Sequence, residues 1–139
     1  MTSKGSLASR LAPLDTLAFA ALRIVSGTLF FFHGAQKLFG VLATHAGPPA
    51  FSQLWFGGII ELVGGALVAV GLFTRCAAFV ASGMTAVAYF QFHWKLQFGA
   101  KFFPIANQGE LAVLYCFVFF FVFVHGPGRA SLDGLRARR

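Results

Sequence analysis

The chain has 139 residues, 58% of them hydrophobic and only 11% charged, with a mean hydropathy of +0.76. So little polar surface cannot coat a soluble globule, and apolar segments of about 20 residues each leave no length for a separate soluble catalytic domain in 15.0 kDa. The net charge of +7 sits mainly at the termini and in connections, where membrane proteins use it for orientation and anionic lipid contact, which argues against nucleic acid as a partner.

The first ten residues are basic and precede an apolar run, as in a signal peptide, but Pro13, Asp15 and Arg23 interrupt any h-region and Ala18-Phe19-Ala20 comes too early for cleavage. The run therefore reads as a retained helix over residues 15–39, with Asp15 placed to cap its start. After the Gly47-Pro48-Pro49 punctuation, Ser52 caps a second helix over 53–73 that stops at Thr74-Arg75. A third, over 76–92, is rich in small residues. Following a connection with His93, Trp94, Lys95, Lys101 and Pro104 comes a fourth over 108–124, then a basic tail over 125–139. The expected fold is all-α, one membrane domain built as an integral membrane antiparallel four-helix bundle.

Lys4, Arg10, Arg75, Arg129, Arg136, Arg138 and Arg139 fall on one side of these crossings, and Lys37, Lys95 and Lys101 on the other. The positive-inside rule then puts both termini in the cytoplasm, with Trp55 and Trp94 at the outer interface and the tail resting on anionic headgroups. Cys76 and Cys116 lie at different depths and are not expected to pair.

Ionisable residues inside apolar segments carry the functional signal, since a charge at membrane depth costs about 2.5–3.5 kcal/mol and normally persists with a partner, a polar cavity or a ligand. His33 and Lys37 share one helical face, and Glu61 lies at an overlapping depth on the second helix. A carboxylate can there meet an imidazole or an ammonium, either as a structural ion pair or as a ligand or proton site. Gly57, Glu61, Gly64 and Gly65 form one stripe, and Gly27 with Gly34 repeats the idea, so these helices should approach closely. Arg23 can snorkel inward or reach Glu61. Glu110 has two readings, a capping box with Asn107 or a charge near Lys37 and His93. Tyr89 and His93 can anchor at the interface or stack on a quinoid ring. His45 and His125 have no spacing that makes a metal or haem motif with His33, and no metal ligand set is expected.

The combination of Arg23 with Gly27, His33-Gly34 with Lys37, Glu61 with Gly64-Gly65, and Gly71-Leu72-Phe73-Thr74-Arg75, continuing to Met84 and Glu110, resembles the DoxX family of small membrane proteins. The likeness runs from about residue 20 to the tail. It implies a four-helix protein of the prokaryotic plasma membrane, associated with redox systems that include a subunit of a thiosulfate:quinone oxidoreductase and a membrane partner of thiol-handling and superoxide-detoxifying proteins. The chain has no CxxC, no Rossmann glycine fingerprint and no haem ligand pair, so it carries no intrinsic redox cofactor motif. That favours an accessory subunit of an oxidoreductase complex over a complete enzyme, with electrons from protein partners or a quinone, and with homo-oligomerisation a further option. A small proton-coupled transporter or conduit is the competing expectation, although no inverted repeat or pair of broken helices supports it. A purely structural membrane subunit is the third.

Overall fold

The computed structural model describes residues 7–138 and contains no strand among them. Lys4 and Arg139 lie outside the described residues. Helical backbone begins at α1 (Leu7–Leu11), passes through a 3-10 turn, Ala12–Leu14, and enters α2 (Asp15–Phe39) without a break. Asp15 therefore does not cap α2. The cap position falls on Leu14, which already has helical backbone, and no side chain accepts there. At the other end Gly40 adopts a left-handed φ of 66° and turns the chain out.

Ser52 caps α3 (Gln53–Val70) as expected, its Oγ accepting from the backbone N–H of Trp55 at 3.2 Å. Gly71 ends α3 at a φ of 72°, before the expected boundary at residue 73. The next helix, α4 (Thr74–Ala88), continues into a π-helical turn, Tyr89–Trp94, so it is longer at both ends than residues 76–92. A 3-10 turn, Gly99–Phe102, and α5 (Pro104–Asn107) lead to α6 (Glu110–His125), and α7 (Leu132–Arg136) closes the chain. The capping box at α6 does not form. Gln108 has a φ of 60° and turns the chain, so Asn107 Oδ1 accepts from Gly109 N–H at 2.8 Å instead.

α2 packs along α3, α4 along α6, and α3 against α4 joins the two pairs. The α2–α3 contact rests on glycine: a Cβ on Gly27 would lie 2.6 Å from the backbone N of Ala69, and one on Gly34 or Gly65 would collide with the facing backbone too. Here the expected stripe needs correcting. Gly58 and Gly65 face α2, whereas a Cβ on Gly57 or Gly64 would meet nothing within 4 Å. Phe30, Val68, Ala78, Ala81, Phe119 and Val122 fill the interior.

Two helices, Leu7–Phe39 and Gln53–Val70, are long and apolar enough to cross a membrane, and Glu110–His125 is apolar but shorter. Leu17, Phe79, Leu114 and Phe117 face outward and are each more than 60% exposed.

The tail does not lie free on its surroundings. Asp133 carboxylate oxygens accept from the backbone N–H groups of Phe73 (3.1 Å) and Thr74 (2.9 Å) and from Thr74 Oγ1 (2.8 Å), while Asp133 N–H donates to Gly71 O at 2.8 Å. Phe73 holds a left-handed φ of 47°, costly for a bulky residue, in the short turn between α3 and α4. A carboxylate at the N-terminus of α4 satisfies that turn and complements the helix dipole.

Candidate functional site

The ionisable residues separate into two groups at opposite ends of the helices. At the first end Arg23, only 1% exposed, donates from Nη1 to Val68 O (2.6 Å) and Ala69 O (2.7 Å) and from Nη2 to Ala130 O (2.6 Å). The expected pairing with Glu61 is absent. A planar guanidinium matches a fan of carbonyls, and two of the three it meets, Val68 O and Ala69 O, lie in the last turn of α3, the negative end of a helix. Arg75 repeats the arrangement at the end of α6, bonding Val124 O at 2.9 Å. Both arginines thus complete helix termini.

At the second end Lys37 Nζ and Glu61 Oε1 form an ion pair at 2.6 Å between α2 and α3. Gly58 lets them approach, because a Cβ there would press on Lys37 Cβ at 3.2 Å. Glu61 is 6% exposed, and its second oxygen, Oε2, is buried with no hydrogen-bond partner. A buried acceptor left unpaired costs about 1–3 kcal/mol, and more when charged.

Glu61 borders a cavity of about 270 Å³ between α2, α3, α4 and α6, whose walls include Phe30, His33, Lys37, His93, Gln108 and Tyr115. His33 meets the edge of the Tyr115 ring at a centroid distance of 6.0 Å and makes no hydrogen bond. His93 Nδ1 lies 3.3 Å from Asn107 O, and its ring stacks on Tyr89 at 6.5 Å. Thr85 also lines the cavity, but its hydroxyl bonds Ala81 O and Ser82 O of its own helix.

Of the residues expected at a site, His33, Lys37, Glu61 and His93 come together. Tyr89 stands behind His93, its hydroxyl 3.3 Å from both Phe102 O and Asn107 Nδ2, and does not line the cavity. Arg23 is at the far end. Glu110 is exposed at the start of α6, outside the cavity walls. Tyr115 was not among the expected residues. Its signal was available as the one hydroxyl-bearing ring in the Phe-rich fourth helix. A larger hollow of about 500 Å³ adjoins the cavity between α3 and α4, sharing Lys37, Met84, Ala88 and His93 with it.

The profile of the DoxX family matches residues 18–94. A curated protein of Haemophilus influenzae (strain ATCC 51907 / DSM 11121 / KW20 / Rd), described as an uncharacterized protein, is 44% identical over 117 residues, covering 82% of this chain and 87% of that one. No solved structure matches.

Proposed function

Because the chain belongs to the DoxX family, a membrane-associated family, we propose that it is a four-helix integral membrane subunit of a redox assembly in the prokaryotic plasma membrane. In this reading it anchors protein partners and holds a quinone headgroup in the cavity beside Glu61. The carrying observation is the Lys37–Glu61 ion pair at the wall of a hollow that also receives His33, His93 and Tyr115. A few convergent polar groups in an otherwise apolar pocket are what orients a ring-bearing ligand. The chain offers the ring a place, and a partner's redox group supplies or removes the electrons.

The exposed apolar faces support four crossings, and the pairing of helices in antiparallel contact supports a bundle with both termini on the cytoplasmic side. The conduit reading is weaker on a specific ground. The titratable groups of the cavity are separated from Arg23 by the packed interior of Phe30, Val68 and Phe119, and the three hydrogen bonds of Arg23 all end on backbone carbonyls.

Purification in mild detergent followed by mass spectrometry of extracted lipids and proteins tests the proposal. A co-purifying quinone that is depleted in Glu61→Gln, at equal folded protein, is the expected result. Equal quinone content in the two proteins, or none in either alongside proton flux in liposomes, overturns it.

A further inference from the structure

We infer that the connection between α4 and α6, residues 95–109, lies immersed in the bilayer leaflet at the Lys37 end and roofs the cavity there. The cavity then opens sideways to lipid and takes a lipophilic ligand from the membrane phase, an inference that rests on the four-crossing reading. α6 has 16 residues, which rise about 24 Å, whereas the hydrocarbon core of a bilayer is about 30 Å thick. The register of α6 against α4 is fixed at both ends. Arg75, in the first turn of α4, bonds Val124 O in the last turn of α6, and at the other end a Cβ on Gly109 would lie 2.6 Å from the ring of Tyr89. Beyond Tyr89 the helix of α4 continues through its π-helical turn to Trp94, a further rise of about 6–8 Å. That rise supplies the thickness α6 lacks and puts Trp94 at the interface, where an indole belongs. The connection must then descend from Trp94 to Gly109 inside the hydrocarbon edge.

The surface and the hydrogen bonds of the connection suit that place. Leu96, Phe98, Phe103 and Ile105 are each more than half exposed. Lys95 and Lys101 are the only charged residues of the segment, and their stems are long enough to carry an ammonium to the headgroups while their neighbours stay in hydrocarbon. Irregular backbone at that depth needs its polar groups satisfied from within. Three carbonyls are met by side chains: Trp94 Nε1 donates to Gln97 O at 2.8 Å, Asn107 Nδ2 to Lys101 O at 2.9 Å and the Tyr89 hydroxyl to Phe102 O at 3.3 Å. The N–H groups of Lys95, Gln97, Phe103, Asn107 and Gly109 bond within the segment or to the turn before it. A loop in water has no such need, since solvent bonds its carbonyls. Asn107 is buried, and its own carbonyl lies 3.3 Å from His93 Nδ1, which joins the roof to the cavity wall; Gln108 completes the wall at that end. With the roof in lipid, the way in is lateral, through the apolar hollow of about 500 Å³ between α3 and α4 that meets the cavity along Met84, Ala88 and His93.

Spin labels on the full chain in liposomes of phosphatidylcholine and phosphatidylglycerol provide the test, one at a time at Phe98→Cys, Ile105→Cys and Gln108→Cys, with Cys76 and Cys116 replaced by Ala. Phe98 and Ile105 are among the most exposed side chains of the connection, so labels there displace no packing. Leu114→Cys on the outer face of α6 marks the hydrocarbon and Ala137→Cys marks water. Collision with oxygen, which dissolves in hydrocarbon, is compared with collision with a water-soluble nickel chelate, which does not. All three labels are expected to give an oxygen-to-nickel ratio several-fold above that of Ala137→Cys and of the order seen at Leu114→Cys. Nickel reaching Phe98→Cys and Ile105→Cys while Leu114→Cys stays protected overturns the immersed roof and leaves the four crossings standing. Exclusion of both reagents at Phe98→Cys and Ile105→Cys overturns it in favour of a second copy of the chain as the cover. An immersed roof with nickel reaching Gln108→Cys, or with oxygen failing to reach it, overturns the sideways opening. Nickel reaching Leu114→Cys overturns the four-crossing reading itself.

Discussion

Lys37 and Glu61 tie α2 to α3 by an ion pair at the end of their helix contact. Lys37 bonds one oxygen of Glu61, and the geometry leaves the other without a partner. Replacing Lys37 with Met is expected to destabilise the protein by about 2 kcal/mol or more, below the figure for a fully buried pair because the Lys37 side chain is 33% exposed. Replacing Glu61 with Leu as well should recover most of that loss, since no buried charge then lacks a partner. Thermal unfolding of the single and double variants in one detergent measures both effects. Much of this pair was legible in the sequence, because Glu61 stands at a depth overlapping that of His33 and Lys37 follows one turn later on the same face, though whether the imidazole or the ammonium meets the carboxylate stayed open. What was not legible is which oxygen of Glu61 finds the ammonium and which does not.

At the scale of elements, the glycines of α2 and α3 are of two kinds, those pressed into the α2–α3 contact and those that face open space. Gly27→Ala is expected to cost about 1–3 kcal/mol, since the added methyl meets backbone that cannot move aside. Gly57→Ala meets open space and should be neutral or stabilising by roughly 0.5–1 kcal/mol, the ordinary gain from removing a glycine inside a helix. Chemical or thermal denaturation of the two variants separates the roles. Helix periodicity puts Gly57, Glu61, Gly64 and Gly65 on one broad stripe, but the direction in which each glycine faces depends on the crossing of α2. Spacing alone does not contain that angle.

For the whole molecule, the tail locks the Arg23 end through Asp133 and Ala130. Burial tends to raise the Asp133 pKa, but hydrogen bonds from Thr74 and Phe73, with the Arg136 charge nearby, outweigh it and hold the carboxyl below the usual value of 3.8. A depressed folded-state value means the undocked tail binds more protons in that range, so the contribution of Asp133 is complete above about pH 3.8 and lost as pH falls through the folded value. A spin label at Ala137→Cys, in a background with Cys76 and Cys116 replaced by Ala, should become mobile only in that acid range, and in Asp133→Asn already at neutral pH. The same labelled position reports topology. Ala137 is exposed, whereas Ser131 is buried as the cap of α7, so Ala137→Cys should react with impermeant maleimide only from the cytoplasmic side.

The sequence by itself determined the helical class, the start of α3 at Ser52, the extent of α2 and the gathering of His33, Lys37, Glu61 and His93 towards one end. These follow from local rules: apolar run length, turn residues, and a rise per residue that makes depth calculable along one helix. Only the tertiary structure decided that Arg23 binds the carbonyls closing α3 rather than Glu61, that Tyr115 replaces Tyr89 at the cavity wall, that Glu110 stays outside, and that the tail returns to cap α4. Rotation of a helix about its own axis and the return of a distant segment are set by contacts between residues as far apart as Arg23 and Ala130, and no local pattern encodes them.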